Sequence, residues 1–291
     1  MRSMKEIHPV VSLFFFISVL SVTMFFSNPY YAFSSMLGAL IFLVCLNKNI
    51  TKELFFYLAI ITVVSVTNPL FSHRGTTPLF FINNNPITLE AFFYGVNLGL
   101  TMVAVMLWFR CFNLVLTQEK ILYLLGRISP KTALLLSNAL RYIPLLKVQA
   151  LKIQQVQKSA GLYSGDSLVD RIRGFTRVFS TLVGWSLENA VETGQSMKAR
   201  GYGLKGRTYF SQNIFRKTDI VLLVVLLFLD FCFCVCALKT DLNVTFYPIV
   251  SFPEISVYGV LGMGAFAVLC LVPFVIELGE NLGWKYYKSR I

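Results

Sequence analysis

The sequence predicts an all-α polytopic membrane protein with about six transmembrane helices and two long amphipathic cytoplasmic helices. Three observations carry that prediction. Hydrophobic residues make up 56% of the 291 residues and charged ones 14%, with 27 phenylalanines, a balance far from that of soluble globular chains. Six apolar stretches approach the roughly 20 residues that a helix needs to cross a hydrocarbon core of about 30 Å. The whole charge excess of +12 falls in one segment: residues 110–217 hold 17 Lys and Arg against 5 Asp and Glu, and the remainder holds 9 against 9.

The stretches run from Pro9 to Phe26, Tyr30 to Leu46, Leu54 to Leu70, Ala91 to Leu116, Ile220 to Leu238 and Ile255 to Ile276. Helices are the expected spanning element, because a backbone facing lipid must satisfy its own hydrogen bonds. Basic residues near span ends favour the cytoplasmic side, and this orients the chain. Arg2 and Lys5 place the N-terminus inside, Lys48 and Lys52 the second connection, the 110–217 insertion the fourth, and Lys285, Lys288 and Arg290 the C-terminus. The loop from Phe71 to Glu90, with one Arg, falls outside. Six spans satisfy every strongly basic connection, and five would not. A cleaved signal peptide is the competing account of the first stretch, but the apolar run outlasts a usual signal core and no small-x-small site follows it. The expected organisation is a transmembrane region over 1–116, a cytoplasmic helical region over 117–217 and a second transmembrane region over 218–291.

Inside the insertion, apolar residues recur at helical spacing from Pro130, with Arg141, Lys147, Lys152 and Lys158 among them. Pro144 removes a backbone donor from that helix and predicts a bend. Breakers from Gly161 to Ser167 end it, and Asp166 or Ser167 suits the cap of the next helix. Along the next, Leu168, Ile172, Phe175, Phe179 and Leu182 step by four, three, four and three residues and form one apolar stripe, continued by the smaller Ser186, Ala190 and Thr193. The two helices are expected to pack on each other. Their charge favours anionic lipid as one contact, since each basic residue near such a surface gains about 1 kcal/mol. Nucleic acid is disfavoured, because aromatics at a base-stacking spacing are missing.

Several constellations fail on weighing. Cys232, Cys234 and Cys236 sit two apart and so point to different helix faces, and all six cysteines lie in or beside apolar spans as small packing residues. His8 and His73, the only histidines, fall on opposite sides of the membrane. Neither a metal site nor a resident cofactor is expected. Gly201, Gly203 and Gly206 have the spacing of a dinucleotide loop but follow a helix where a strand is required, and no Walker loop is present. The Asn243-Val244-Thr245 triplet is assigned no role. Asp230 stands inside an apolar span, where a charge costs at least about 2.5–3.5 kcal/mol unless paired or hydrated, and marks either an intramembrane polar site or a buried hydrogen-bonded acid. Glu90 and Glu277, at span ends, are expected to be exposed at the interface.

The second helix closes with Ala199-Arg200-Gly201, and the first contains Leu140-Arg141-Tyr142-Ile143-Pro144. With His8-Pro9, Asn28-Pro29, Asn68-Pro69-Leu70-Phe71, His73-Arg74-Gly75 and Asn85-Pro86-Ile87-Thr88, this ordered set resembles the transmembrane T components of energy-coupling factor transporters, the EcfT and CbiQ-like proteins. The resemblance implies a bacterial or archaeal cell-membrane scaffold that joins two cytoplasmic ATPase subunits, or a fused pair, to a separate membrane S component that binds a vitamin or metal ion. ATP would be bound by those partners, and this chain would not be an enzyme. Arg200 would dock one ATPase, with Ala199 and Gly201 shaping the tip, and Arg141 and Pro144 would shape the first coupling helix. The chain departs from the family at the first tip, Lys158-Ser159-Ala160-Gly161, which lacks the arginine. The alternatives are a secondary transporter or channel with a basic regulatory domain, and an intramembrane enzyme. The first lacks a visible internal repeat, and the second lacks a convergent set of reactive groups.

Overall fold

The computed structural model describes residues 3–46, 51–72, 74–82, 85–161, 168–204, 214–253 and 256–288. The sequence readings on Arg2, Lys48, His73, Asp166, Ser167, Gly206 and Arg290 fall outside them. The described chain forms α1 (Pro9–Phe25), α2 (Pro29–Leu46), α3 (Thr51–Phe71), a hairpin of β1 (Pro78–Ile82) and β2 (Asn85–Thr88), α4 (Leu89–Val115), α5 (Gln118–Ile128), α6 (Pro130–Ser159), α7 (Leu168–Ala199), α8 (Lys217–Lys239) and α9 (Val257–Lys288). Among these, α2, α3, α4, α8 and α9 are long and apolar enough to cross a membrane. The apolar α1 has 17 residues and, at 1.5 Å per residue, spans about 25 Å.

Contacts divide the chain into two compact units, Met1–Ile121 with Asn213–Ile291, and Leu122–Gln212. In the first, α4 packs against α1, α2 and α3, while α2 also packs against α9, which in turn packs against α8. The fully buried Trp108 of α4 stands at the centre, with Phe15 and Phe16 edge-on at ring-centroid distances of 5.5 and 6.1 Å. Its indole Nε1 donates to Ser35 Oγ at 2.9 Å, and Ser35 Oγ lies 2.8 Å from Thr23 Oγ1. Thr23 in turn donates to the Val19 carbonyl at 2.8 Å. Each hydroxyl therefore passes one proton onward, and three helices are tied by a polar chain that leaves none of its donors orphaned.

Glycines set the closest helix approaches. A Cβ built on Gly95 would stand 3.0 Å from the Asn68 side chain and 3.1 Å from the Ser65 backbone, and one on Gly99 would stand 3.2 Å from the Ile61 backbone. The two glycines lie four apart on α4, and this small-xxx-small spacing lets α3 and α4 meet backbone to backbone.

The structure corrects two expectations about charge. Glu90 and Glu277 are buried, at 3% and 8% exposure, where span-end exposure was expected. Glu90 accepts from the backbone N–H groups of Thr76 and Thr77 and from the Thr76 hydroxyl, and Glu277 accepts from the Met4 N–H at 3.1 Å. Backbone donors from segments distant in sequence reach both carboxyls, Glu90 at the start of α4 and Glu277 within α9. The hairpin and α5 are additional elements that the hydropathy pattern did not announce.

The connections at one end of the bundle are clipped together. Ser27 N donates to Asn243 Oδ1 and Asn28 Nδ2 to the Leu242 carbonyl, and Thr76 Oγ1, whose one proton is shared with Glu90, lies 3.4 Å from the Pro248 carbonyl. Asn243, left without a role by the sequence, is thus a structural acceptor. At the other end Met4 meets Glu277, the His8 ring lies tilted against Phe215 with centroids 4.0 Å apart, and Arg110 pairs with Glu53.

Replacing both Gly95 and Gly99 by alanine should destabilise the bundle by about 1–3 kcal/mol, as overpacking does. Gly264→Ala, where an added Cβ meets nothing within 4 Å, should be neutral or mildly stabilising. Thermal unfolding of the detergent-purified chain distinguishes them, and equal behaviour of the two variants would remove the close-approach argument.

Candidate functional site

The predicted docking residues lie at the ends of α6 and α7, and both ends are built by local backbone chemistry. At the end of α7, Gly201 takes a φ of +82°, its N–H donates to the Lys198 carbonyl at 3.0 Å, and the Tyr202 N–H donates to the Met197 carbonyl at 3.0 Å. That pair of bonds is a Schellman cap. Ala199 is the last helical residue, Arg200 the cap, and Gly201 the left-handed residue that makes the cap possible. Ala199 and Arg200 are both exposed. The α6 end shares the left-handed glycine and one of these bonds: Gly161 has a φ of +72° and its N–H donates to the Lys158 carbonyl at 3.0 Å, and the residue after it lies outside the described residues.

Aligning the two caps gives the same register as the sequence motifs. Gly161 matches Gly201, Ala160 matches Arg200, Ser159 matches Ala199, and Lys158 matches Lys198. Lys158 therefore stands two positions before the one that Arg200 fills at the other tip. It occupies a position where both tips carry lysine, and the tips differ in charge by the single guanidinium of Arg200.

Within the same unit, Arg141 lies over the Tyr142 ring, 5.5 Å from its centroid, and the Tyr142 hydroxyl lies 2.9 Å from Thr193 Oγ1 of α7. Tyr142, which stood unremarked between Arg141 and Ile143, is the residue that ties the two helices. Pro144 lies inside α6. The α7 stripe does not do what was expected. Leu168, Ile172, Phe175 and Phe179 are 76%, 66%, 70% and 56% exposed, and Val183, Leu187 and Val191 extend the exposed row. The helices meet instead near the smaller Thr193, so the apolar face of α7 is left open along most of its length.

In the bundle, the Ser18 hydroxyl of α1 donates to Asp230 of α8. Asp230 is half-buried, and this contact joins α1 to α8. Of the candidate site residues, Asp230 alone lies away from the two long helices. A further charged position was missed. Lys120, in the first turn of α5, is 9% exposed, and its Nζ has no hydrogen-bond partner among the described residues. Burial pushes its pKa down, and the carboxylate of Asp219 opposes that shift. Asp219, 2% exposed, accepts from the Arg216 N–H at 3.1 Å in the first turn of α8. The chain thus leaves and re-enters the bundle unit beside two buried opposite charges.

The family model described as cobalt transport protein, CbiQ, matches residues 1–210. The chain belongs to this family. Among curated relatives, the energy-coupling factor transporter transmembrane protein EcfT of Listeria innocua is 30% identical over 222 residues, covering 65% of this chain and 83% of that protein. The EcfT of Brevibacillus brevis is 27% identical over 225 residues, covering 72% and 85%. That of Lactobacillus helveticus is 33% identical over 99 residues, 36% of its length. As a CbiQ and EcfT family member, the chain is a multi-pass transmembrane T component of an energy-coupling factor transporter.

Ser18→Ala, which strips Asp230 of its donor, should destabilise this T component by about 0.6–2 kcal/mol, the range for hydrogen bonds between membrane helices. Asp230→Asn can still accept from Ser18 and should cost less. The check is thermal unfolding in detergent, and a larger loss from Asp230→Asn would mean that the charge itself is needed.

Proposed function

We propose that this T component couples ATP hydrolysis by two cytoplasmic ATPase chains to movement of a substrate-binding S component, through the ends and the apolar face of α6 and α7. ATP is bound and cleaved by the partners, and both termini of this chain face the cytoplasm. The single observation that carries the reading is the pair of matched, exposed helix caps. A Schellman cap turns the backbone away immediately after Arg200, so the guanidinium projects from a blunt end where it can make a bidentate contact with a carboxylate in a partner groove. The open apolar row from Phe179 to Val191 supports a second contact, with the S component, because an apolar surface left uncovered marks an interaction site.

The register of the caps makes the two ATPase contacts unequal. The α7 tip docks by charge and shape, and the α6 tip, with Ala160 at the arginine position, docks by shape and the flanking lysine. Two different ATPase chains, or a fused pair with unlike halves, suit such a scaffold better than identical subunits. The transported solute, a vitamin or a metal ion, is chosen by the S component.

Affinity purification from membranes of the native host tests this. Wild type should bring two ATPase chains, or one fused chain, and a small membrane protein. Arg200→Ala should weaken ATPase retention by roughly 2–5 kcal/mol, the cost of removing one partner from a desolvated charge pair. Lys158→Ala should cost no more than about 1 kcal/mol, as exposed charges do. Equal losses from the two variants would reject the unequal tips, and wild type arriving alone under complex-preserving conditions would reject ATPase docking.

A further inference from the structure

Between α6 and α7 lies an open groove of about 430 Å³, lined by Lys147, Leu151 and Gln154 from one helix and by Arg171, Phe175 and Val178 from the other. That volume is within the range of small-ligand sites. We propose that this groove binds one anionic glycerophospholipid, its phosphate held between Lys147 and Arg171 and an acyl chain laid over Leu151, Phe175 and Val178.

The chemistry of the lining selects this occupant. The two cations come from different helices onto one apolar floor, and neither has a hydrogen-bond or ion-pair partner among the described residues. Over residues 122–212 the chain carries 13 Lys and Arg against 4 Asp and Glu, so the groove sits in a field that concentrates anions. A peptide strand would need backbone partners, and mid-helix backbone groups are already used within α6 and α7. A nucleotide would need edge contacts for its base, and Gln154 is the one neutral polar side chain lining the groove. A phospholipid needs only positive charge at one end and apolar surface at the other. The floor also leads outward: Phe175 stacks on Phe179 with centroids 6.2 Å apart and an interplanar angle of 17°, joining the groove to the exposed apolar row of α7. An amphipathic helix with such a face and basic flanks is suited to the headgroup boundary of a bilayer.

The inference is independent of ATPase docking, because the groove is complete in this chain alone. Native mass spectrometry of the full-length, delipidated protein, titrated with dioleoyl phosphatidylglycerol or with the phosphatidylcholine of the same chains, tests it. Wild type should take up one phosphatidylglycerol saturably and prefer it to phosphatidylcholine. Lys147→Gln with Arg171→Gln should raise the half-saturating concentration roughly 25-fold, from about fivefold per cation. Lys131→Gln with Lys152→Gln removes the same charge outside the groove and should raise it less than threefold. Phe175→Ser should also weaken phosphatidylglycerol, with helix content by circular dichroism unchanged in every variant. Equal shifts in the two double variants would replace the site by diffuse attraction. Equal occupancy by inorganic phosphate, or insensitivity to Phe175→Ser, would make it a free-anion site, and loss of lipid to an acidic helical peptide would make it a protein interface. Each of these results overturns the proposal.

Discussion

Hydrocarbon offers no water to a stray donor, and that shortage organises the bundle. Several polar side chains inside it are hydrogen-bonded in ways that also join helices, while Ser12 Oγ, the Tyr31 hydroxyl and Asn97 Oδ1 have no partner among the described residues. Trp108 hands its N–H to Ser35, Ser35 hands its proton to Thr23, and Thr23 ends the chain on a backbone carbonyl. Asp230 is matched by Ser18. At the helix ends the same constraint draws distant segments together, with Met4 completing Glu277 and Thr76 and Thr77 completing Glu90. A group that is expensive to leave unpaired in lipid thereby specifies which helices are neighbours, a selectivity that apolar contacts, indifferent to lipid or protein, supply poorly.

How much of this was legible in the sequence depended on the kind of information needed. The starts of the spans and both ends of the two long helices were readable to within a few residues, because length, hydropathy and breakers are properties of consecutive residues, but the last helix runs on to Lys288, well past the expected end at Ile276. The cap at Gly201 and the one at Gly161 were likewise local. What the sequence concealed lies in contacts between segments. Glu90 looks like any carboxylate at a span end until the backbone of Thr76 and Thr77 is folded over it. Gly95 and Gly99 show their role only when α3 approaches. Tyr142 is one aromatic among 43 Phe, Trp and Tyr residues until its hydroxyl meets Thr193.

The α7 stripe shows a limit of another kind. Periodicity established that Leu168, Ile172, Phe175 and Phe179 share a face, and that was correct. It carried no information about what covers the face, and the natural assumption, that the neighbouring helix does, fails. An amphipathic pattern is equally compatible with intramolecular packing, a partner and a bilayer surface. Only the exposure of those side chains separates the first from the others.

The same exposure bears on how a T component can move. Among the described residues, α6 has no buried residue and α7 has only Gly174, so this pair holds together with very little of the close packing that locks the bundle. Packed cores resist continuous deformation, and elements that must rearrange belong to the less stable part of a structure. A helix pair tied near Tyr142 and Thr193, and blunt-ended where Arg200 and Gly161 sit, can change its crossing angle without tearing a core. On the docking proposed above, work delivered at the tips goes into reorienting a partner on the apolar face, while the Trp108 cluster and its hydrogen-bonded chain tie the membrane helices together.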